Sequence, residues 1–284
     1  MLYVDGKWVE PGEAVIQPED RGYNFGDGVY EVVRIYQGQF YHWDGHMKRL
    51  IRSAKELHMT LPWTEEELHS IGLELLEKNQ ITSADDAILY MQVTRGAAPR
   101  QHDIPSSDIR PVLMAFARKK ERPLHELQHG ISAKIVADIR WLRCDIKTLN
   151  LLGAVLVKQE AKNAGAADCI LHRDGIVTEC SAANLFAVKN GELYTHPANN
   201  LILHGITRQV IIDLAKASGI KVYEEAFTTS FAQEADELFL SGTTTEVMPI
   251  ITVDEKPVGT GQVGPVVRKL QELFEANIKQ SVNV

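Results

Sequence analysis

Three two-residue turn signals place the strongest constraint on how this chain can fold. Asp-Gly or Asn-Gly lies between strand-like runs in the segments LYVDGKWVE, CILHRDGIVTE and LFAVKNGELYTH. These dipeptides accept the positive φ angles of tight turns, so each segment predicts two antiparallel strands joined in a hairpin. The chain must therefore contain antiparallel sheet in both of its halves.

Amphipathic helices lie between these hairpins. The segment TEEELHSIGLELLEKNQ begins with the capping-box pair Thr64 and Glu67, and TRQVIIDLAKASG ends at Gly219. Two helices are predicted from about Asp44 to Gln80, followed by the strands AILYMQVTRG and PVLMAFARK. Strand-rich halves with helices grouped between them predict an α+β fold rather than an alternating parallel sheet.

The length of 284 residues exceeds the size at which one hydrophobic core usually stops growing, so two domains are expected. The segment RKKERPLHELQHG is charged and contains proline, and strand character returns at ISAKIVADI. We therefore predict an N-terminal α+β domain at residues 1–117 and an inter-domain linker at 118–130. A C-terminal α+β domain at residues 131–284 would then carry Lys147.

Charge and composition exclude several classes of partner. The formal net charge of −8 leaves no basic field for nucleic acid or anionic lipid, and no apolar run is long enough to span a membrane. The N-terminus lacks the unbroken apolar core of a signal peptide. The three cysteines, Cys144, Cys169 and Cys180, show no C-x-x-C spacing, which favours free thiols. We expect a cytoplasmic protein.

The segment HELQH matches the H-E-x-x-H pattern of zinc peptidases through His125, Glu126 and His129. It lies between Pro123 and Gly130, so its helix would have fewer than two turns and little support for a metal. We predict a solvated connector helix without metal, and a zinc peptidase remains a remote alternative.

The segment GTGQVG matches the G-x-G-x-x-G pattern of dinucleotide sites. Such a site also needs a parallel strand before the glycines and an acidic residue on a second strand beyond the helix. Only one helix follows before the chain ends, so we predict a loop, with a helix that begins at Pro265.

Lys147 lies in the segment RWLRCDIKTLN. A lysine amine is a nucleophile only when it is neutral, and nearby cations or partial burial favour the neutral form. Arg140 and Arg143 supply positive charge nearby in sequence, and Ile146 and Leu149 are apolar neighbours. On these residues alone, an ordinary lysine at a strand end remains the alternative.

Other segments offer groups that suit a cofactor with one phosphate. Glu179 lies where a strand ends in DGIVTECSAANLF, and a carboxylate beside a heteroaromatic nitrogen would keep that nitrogen protonated. The segments LHGITRQVII and LSGTTTEVMPI could present backbone N–H groups to a phosphate, although each alone is more often an ordinary cap or turn. Neither contains the G-K-[ST] of a triphosphate loop.

Taken together, these segments resemble the fold type IV, or class IV, pyridoxal-phosphate aminotransferases, most closely the D-amino acid transaminases, and the resemblance covers nearly the whole chain. The segments EDRGYNFGDGVYEVV, RWLRCDIKTLNLLGAVLVKQEA and the stretch from Glu179 to LHGITR carry it. It implies that Lys147 is the Schiff-base lysine, that Glu179 is the partner of the pyridine nitrogen and that Leu203 supports the ring. The residues implied to hold the cofactor phosphate are Arg49, Ile206, Thr207 and Thr243.

The D-amino acid subgroup is indicated by the segment TRGAAPRQHD. The resemblance implies a homodimer in which Arg100 and His102 reach the neighbouring site and, with Tyr30, bind the substrate α-carboxylate. A planar guanidinium, an imidazole and a phenol are suitable donors for such a group. One departure is Ala182 and Ala183, where relatives often carry serines.

These observations predict pyridoxal-phosphate-dependent transamination between a D-amino acid, such as D-alanine, D-glutamate or D-aspartate, and a 2-oxo acid. A branched-chain L-amino acid transaminase or an aminodeoxychorismate-type lyase of the same fold would keep Lys147 and Glu179 and change the carboxylate-binding loop. The segment RGAAPRQH is the feature that favours the D-amino acid enzyme.

Overall fold

A computed structural model of the chain describes residues 1–105 and 109–282. The described residues divide into two compact units. The first unit comprises Met1–Glu121 and Ile146–Asn150, and the second comprises Arg122–Asp145 and Leu151–Val284.

The described part of the first unit is an antiparallel sheet with three helices. Its helices are α1 (Arg21–Phe25), α2 (Trp43–Glu56) and α3 (Glu65–Lys78). Its strands are β1 (Leu2–Val4), β2 (Lys7–Val9), β3 (Gly28–Tyr36), β4 (Gln39–Phe40), β5 (Ala87–Thr94) and β6 (Val112–Lys119). In the sheet they lie in the order β2-β1-β6-β5-β3-β4.

The sequence pattern explains how this unit packs. Along β3, Val29, Val33 and Ile35 point to one face, where they join a buried core with residues such as Met47 of α2 and Leu75 of α3. Helix α3 begins with the predicted capping box, since the Thr64 side chain accepts from the backbone of Glu67 and the Glu67 side chain accepts from that of Thr64. The two predicted helices are thus confirmed.

The described part of the second unit is a mixed sheet with five helices. Its helices are α4 (Leu124–His129), α5 (Leu152–Asn163), α6 (Ile206–Ala217), α7 (Thr229–Gln233) and α8 (Pro265–Val282). Its strands are β7 (Ile131–Ala137), β8 (Asp168–Arg173), β9 (Ile176–Cys180), β10 (Asn184–Lys189), β11 (Glu192–Thr195), β12 (Val222–Glu224), β13 (Glu237–Gly242), β14 (Glu246–Val253) and β15 (Lys256–Pro257). In the sheet they lie in the order β12-β11-β10-β13-β14-β7-β8-β9, and β15 pairs with β14.

The local predictions for turns and loops are confirmed. The three predicted hairpins are the antiparallel pairs β1-β2, β8-β9 and β10-β11. Gly259 and Gly261 of GTGQVG have positive φ angles in a loop, and α8 begins at Pro265. Within residues 1–105 and 109–282, no helix is both long and apolar enough to cross a membrane.

The predicted domain boundaries need two corrections. Residues 118–130 are not a separate linker, because β6 continues to Lys119 and α4 already belongs to the second unit. Lys147 does not belong with the C-terminal residues, because Ile146–Asn150 is part of the first unit. The physical reason is backbone pairing: Tyr30 N donates to Lys147 O at 3.0 Å, and Leu149 N donates to Gly28 O at 3.0 Å.

Candidate functional site

Lys147 is held in the first unit by bonds to its backbone. Besides the pairing with β3, Lys147 N donates to Ser53 Oγ of α2 at 3.2 Å. Its side chain is half-buried, and Nζ lies 4.1 Å from the centre of the Tyr30 ring. The Tyr30 ring stacks in turn on Tyr90, with 5.7 Å between ring centres. The lysine amine is therefore placed over the β3 face opposite the hydrophobic core.

A charged network lies on the core face of β3. The fully buried Glu31 accepts from Arg49 Nε at 2.7 Å and from Arg49 Nη2 at 2.9 Å. His46 Nδ1 lies 2.7 Å from the same carboxylate. His46, Arg49 and Ser53 have the spacing that places residues on one face of a helix, so α2 presents all three to this part of the unit.

The protonation of this network follows from burial and charge. Burial alone would raise the pKa of Glu31, but the charge of Arg49 and the hydrogen bond from His46 hold the pKa well below its ordinary value. Burial lowers the pKa of His46, with the charges of Arg49 and Lys147 acting in the same direction and Glu31 opposing them. Glu31 is thus ionised, and it fixes the guanidinium of Arg49.

Arg100 and His102 lie together on an exposed loop of the first unit. The guanidinium of Arg100 is 5.1 Å from the centre of the Phe25 ring, and the His102 ring centre is 5.7 Å from that of Phe25. Arg21 anchors the loop by donating from Nη1 to Gln101 O at 2.7 Å. Both side chains are exposed.

Glu179 is buried in the second unit among hydrogen-bond donors. Arg140 Nη1 and Leu203 N donate to Oε1 at 2.5 and 3.1 Å, and Asn184 Nδ2 donates to Oε2 at 2.8 Å. Burial raises the pKa of Glu179, while the Arg140 guanidinium and the Leu203 N–H oppose that effect. Arg140, one of the two arginines that supply positive charge near Lys147 in sequence, also binds Asp138. The other, Arg143, binds Asp145.

Helix α6 begins near Asn184, which also binds Glu179. Asn184 Nδ2 also donates to Leu203 O at 2.8 Å, and a β-carbon on Gly205 would lie 2.1 Å from Asn184 Oδ1. Gly205 is the N-cap of α6, and as a glycine it has no side chain that could cap this end. The N–H groups of Ile206 and Thr207 therefore form a positive helix end with no acidic residue in its first turn.

The turn between β13 and β14 carries Thr243. Ser241 Oγ and Thr245 Oγ1 are buried and have no hydrogen-bond partner within residues 1–105 and 109–282. A buried hydroxyl without a partner is costly, so a ligand or water that accepts from these groups would be favoured.

The alanines at positions 182 and 183 lie close to this turn. A β-carbon on Gly242 would be 3.6 Å from both Ala182 O and Ala183 Cβ. Neither alanine can supply a side-chain hydrogen bond, so nothing from these two side chains satisfies the hydroxyls of Ser241 and Thr245.

The HELQH segment forms the six-residue helix α4. His129 Nδ1 donates to the carbonyl oxygen of His125 at 2.8 Å, so that ring nitrogen is already engaged. In the part of the chain that the structure describes, no group of three or more His, Cys, Asp or Glu side chains could hold a metal ion.

Comparison with known proteins identifies the family. The family model "Amino-transferase class IV" matches residues 28–253. A D-alanine aminotransferase of Staphylococcus haemolyticus is 46% identical over 278 residues, which is 98% of each chain. A D-alanine aminotransferase of Listeria monocytogenes is 46% identical over 282 residues, which is 99% of this chain and 96% of the relative. The chain belongs to the class IV aminotransferases.

Solved structures of branched-chain amino acid aminotransferases have the same fold. The branched-chain amino acid aminotransferase of Escherichia coli has a TM-score of 0.87 and 28% identity, covering 97% of this chain and 92% of the other. The branched-chain aminotransferase of Thermoproteus uzoniensis with norvaline has a TM-score of 0.86 and 27% identity, covering 96% and 93%. The predicted α+β fold and family resemblance are confirmed.

Class IV aminotransferases use pyridoxal phosphate, and the second unit has groups that fit it. The orphaned hydroxyls of Ser241 and Thr245 and the uncapped start of α6 suit a phosphate. Glu179 is an acceptor fixed by donors, which suits a protonated ring nitrogen.

The sequence reasoning missed residues that orient the predicted ones. In this class IV aminotransferase these are Glu31 and His46 behind Arg49, and Asn184 beside Glu179; Arg140 was named, but its bond to Glu179 was not foreseen. Glu31 could have been noticed, because it is a charged residue within the apolar strand VYEVVRIY. Nothing in the sequence around Asn184 indicated that it would bind Glu179.

Proposed function

We propose that this chain transfers amino groups between D-amino acids and 2-oxo acids with pyridoxal phosphate as its cofactor. Support comes from the D-alanine aminotransferases that match 98% or more of this chain at 46% identity. The observation that carries the chemistry is the Lys147 amine, 4.1 Å from the centre of the Tyr30 ring on a segment fixed to β3. The branched-chain interpretation rests on structures of 27 to 28% identity and is the rival outcome of the tests below.

Lys147 has two roles in this proposal. Its Nζ would hold the cofactor, and as a free amine it would move the proton at the substrate α-carbon. When bound, pyridoxal phosphate supplies a conjugated ring that accepts the electron pair released at that carbon. The backbone bonds of Lys147 to Tyr30 and Ser53 keep the amine positioned during both steps.

Glu179 holds the proton on the cofactor ring nitrogen, because a fixed negative charge stabilises a cation beside it. Arg140, Asn184 and Leu203 N–H orient its carboxylate, which supports this role. Leu203 would also support the ring. The groups proposed to bind the phosphate are the α6 start at Ile206 and Thr207, Thr243 of the β13–β14 turn, and Arg49.

Arg100, His102 and Tyr30 bind the substrate α-carboxylate in this proposal, with Arg100 and His102 reaching the neighbouring site of a homodimer. Their exposure in the single chain and their shared contact with Phe25 support it. A planar guanidinium and an imidazole on one loop would fix the carboxylate side of the substrate, and thereby the enantiomer accepted.

We also propose that the enzyme works in the cytoplasm. Its cysteines Cys144, Cys169 and Cys180 are free and buried, as is usual for proteins of a reducing compartment. Burial raises the pKa of Cys144 to about 11 and of Cys169 to about 12, so these thiols stay protonated and unreactive.

The lysine assignment is tested by borohydride reduction of the purified enzyme with cofactor, followed by peptide mapping. The label should lie on Lys147, and Lys147→Ala should lose both the label and most turnover. Lys48→Ala removes an exposed lysine of the same unit and serves as the control. Labelling of another lysine in the wild type would contradict the assignment.

The substrate assignment is tested by half-reactions with D-alanine, L-alanine, L-leucine and a simple primary amine. D-alanine should react faster than L-leucine, and Arg100→Ala should reduce kcat/KM for D-alanine by about one to three orders of magnitude, because the substrate carboxylate loses a charged donor. The kcat/KM of Arg100→Ala for the simple primary amine should change little, because this substrate has no carboxylate. Arg110→Ala, which removes an arginine that is 72% exposed, is the control. Faster reaction with L-leucine would favour the branched-chain enzyme.

A further inference from the structure

The β13–β14 turn ends at a residue with an unusual backbone conformation. Thr245 N donates to Gly242 O at 3.2 Å, and Gly242 pairs with Glu246 where β14 begins. Glu246 has a φ of 56°, in the left-handed region that hairpins of this kind usually reserve for glycine. A residue with a β-carbon is disfavoured there, so something must stabilise the conformation of Glu246.

Arg122 binds the Glu246 carboxylate through two parallel hydrogen bonds. Nε donates to Oε1 and Nη2 to Oε2, each at 2.8 Å, and Glu246 is only 3% exposed. Arg122 Nη2 also donates to Glu275 of α8 at 2.7 Å. Such a two-bond pair fixes both planar groups, so the turn is tied through Arg122 to α8.

The turn so fixed contains one residue that is proposed to bind the cofactor phosphate and a second whose hydroxyl suits it. It carries Thr243, and its Thr245 hydroxyl is buried without a partner among the described residues. A β-carbon on Gly242 would lie 2.9 Å from Thr245 Oγ1, which shows how closely the turn is packed. The placement of both threonines therefore depends on the φ of Glu246.

We propose that Arg122 is a positioning residue for the cofactor phosphate, because its bond to Glu246 holds the Gly242–Glu246 turn in the conformation that binds the phosphate. The inference rests on the proposed function, in which Thr243 binds that phosphate. Arg122 is distant in sequence from this turn, and no pattern in the sequence connects the two.

Two substitutions of Glu246 separate support of the turn from a general structural role. Glu246→Ala removes the carboxylate and keeps the disfavoured φ, so the turn should relax. Glu246→Gly removes the carboxylate together with the disfavoured conformation, so the turn should keep its shape. Arg122 retains Glu275 as a partner in both variants, so its charge is not left unpaired.

The experiment measures the rate of pyridoxal phosphate release from the holoenzyme and the affinity of the cofactor-free protein for inorganic phosphate. Release from Glu246→Ala and Arg122→Gln should be about ten-fold faster than from wild type, and phosphate affinity about ten-fold weaker. Glu246→Gly should stay within about two-fold of wild type. Arg122→Lys, which cannot form the two parallel bonds, should give an intermediate value.

Glu255 provides the matched control. It is also a glutamate with a positive φ, at 66°, but it is exposed and lies in the β14–β15 turn at the other end of β14. Glu255→Ala and Glu255→Gly should leave release and phosphate affinity unchanged within about two-fold.

The outcomes distinguish this inference from the proposed function. If the wild type binds pyridoxal phosphate normally and Glu246→Ala releases it at the wild-type rate, the role of Arg122 is refuted and the proposed function is not. The same holds if Glu246→Gly and Glu246→Ala accelerate cofactor release equally. A wild-type protein that binds no pyridoxal phosphate would refute the proposed function and this role with it. If Arg122→Gln fails to fold, the pair of Glu246 variants still decides the question.

Discussion

Replacing Glu31 with glutamine should strongly destabilise the first unit. The buried carboxylate accepts two hydrogen bonds from Arg49, at 2.7 and 2.9 Å, and has His46 Nδ1 at 2.7 Å. A glutamine amide has one oxygen for these donors, and its NH₂ group faces another N–H. Breaking a buried ion pair in this way costs about 3–5 kcal/mol, because a charge is left buried without its partner. We expect a loss of that size in the free energy of unfolding.

Urea denaturation of the cofactor-free protein measures this loss. A Trp141→Phe background leaves Trp8, Trp43 and Trp63 of the first unit as the fluorescent tryptophans. Glu74→Gln is the matched control, because it makes the same change in an exposed pair with Lys78 and should cost less than about 0.5 kcal/mol. A loss below about 1 kcal/mol for Glu31→Gln would refute the reasoning.

A double-mutant cycle with Arg49→Met sharpens the test. Removing both charges eliminates the unpaired buried cation, so the double variant should be more stable than the sum of the single losses by about 1–3 kcal/mol. Additive losses would mean that Glu31 and Arg49 act independently, contrary to their two hydrogen bonds.

Three further outcomes are expected. Glu179→Gln should bind cofactor but transaminate slowly in single-turnover measurements, because a neutral amide no longer stabilises the protonated ring nitrogen; wild-type rates would contradict this role. Activity should survive exhaustive chelation, whereas loss that is restored by zinc would revive the peptidase interpretation of His125 and His129. As the pH falls below 6.5, the free energy of unfolding should fall, since burial lowers the pKa of His46 and the unfolded chain binds a proton that folded His46 does not. Denaturation at several pH values should show that the free energy of unfolding falls less steeply with pH in His46→Gln than in the wild type.

Interactions between residues close together in the sequence determine much of the secondary structure. The Asp-Gly and Asn-Gly hairpins, the Thr64–Glu67 capping box and the α8 start at Pro265 depend on residues within a few positions of one another. The same holds for the short HELQH helix. The family segments around Lys147 and Glu179 likewise identified the class IV aminotransferases, because several spaced positions had to agree.

Only the tertiary structure decided which groups surround those residues. In the sequence, Arg140 was only a positive charge near Lys147, and the structure shows that it binds Asp138 and Glu179, the latter 39 positions away. Ile146–Asn150 joins the first unit through hydrogen bonds to β3, more than a hundred positions earlier, so a boundary drawn from local composition could not include it.

Charged partners at long range were equally hidden from the sequence. In the sequence, Glu31 is only a charged residue in an apolar strand, and the structure shows that Arg49 of α2 binds it. The structure likewise shows that Arg122 binds both Glu246 of β14 and Glu275 of α8. The sequence by itself determined turns, caps and family, because these depend on neighbouring residues and on motif spacing. Folding alone decided the ion pairs, because burial and the geometry of two groups far apart in the chain set their strength.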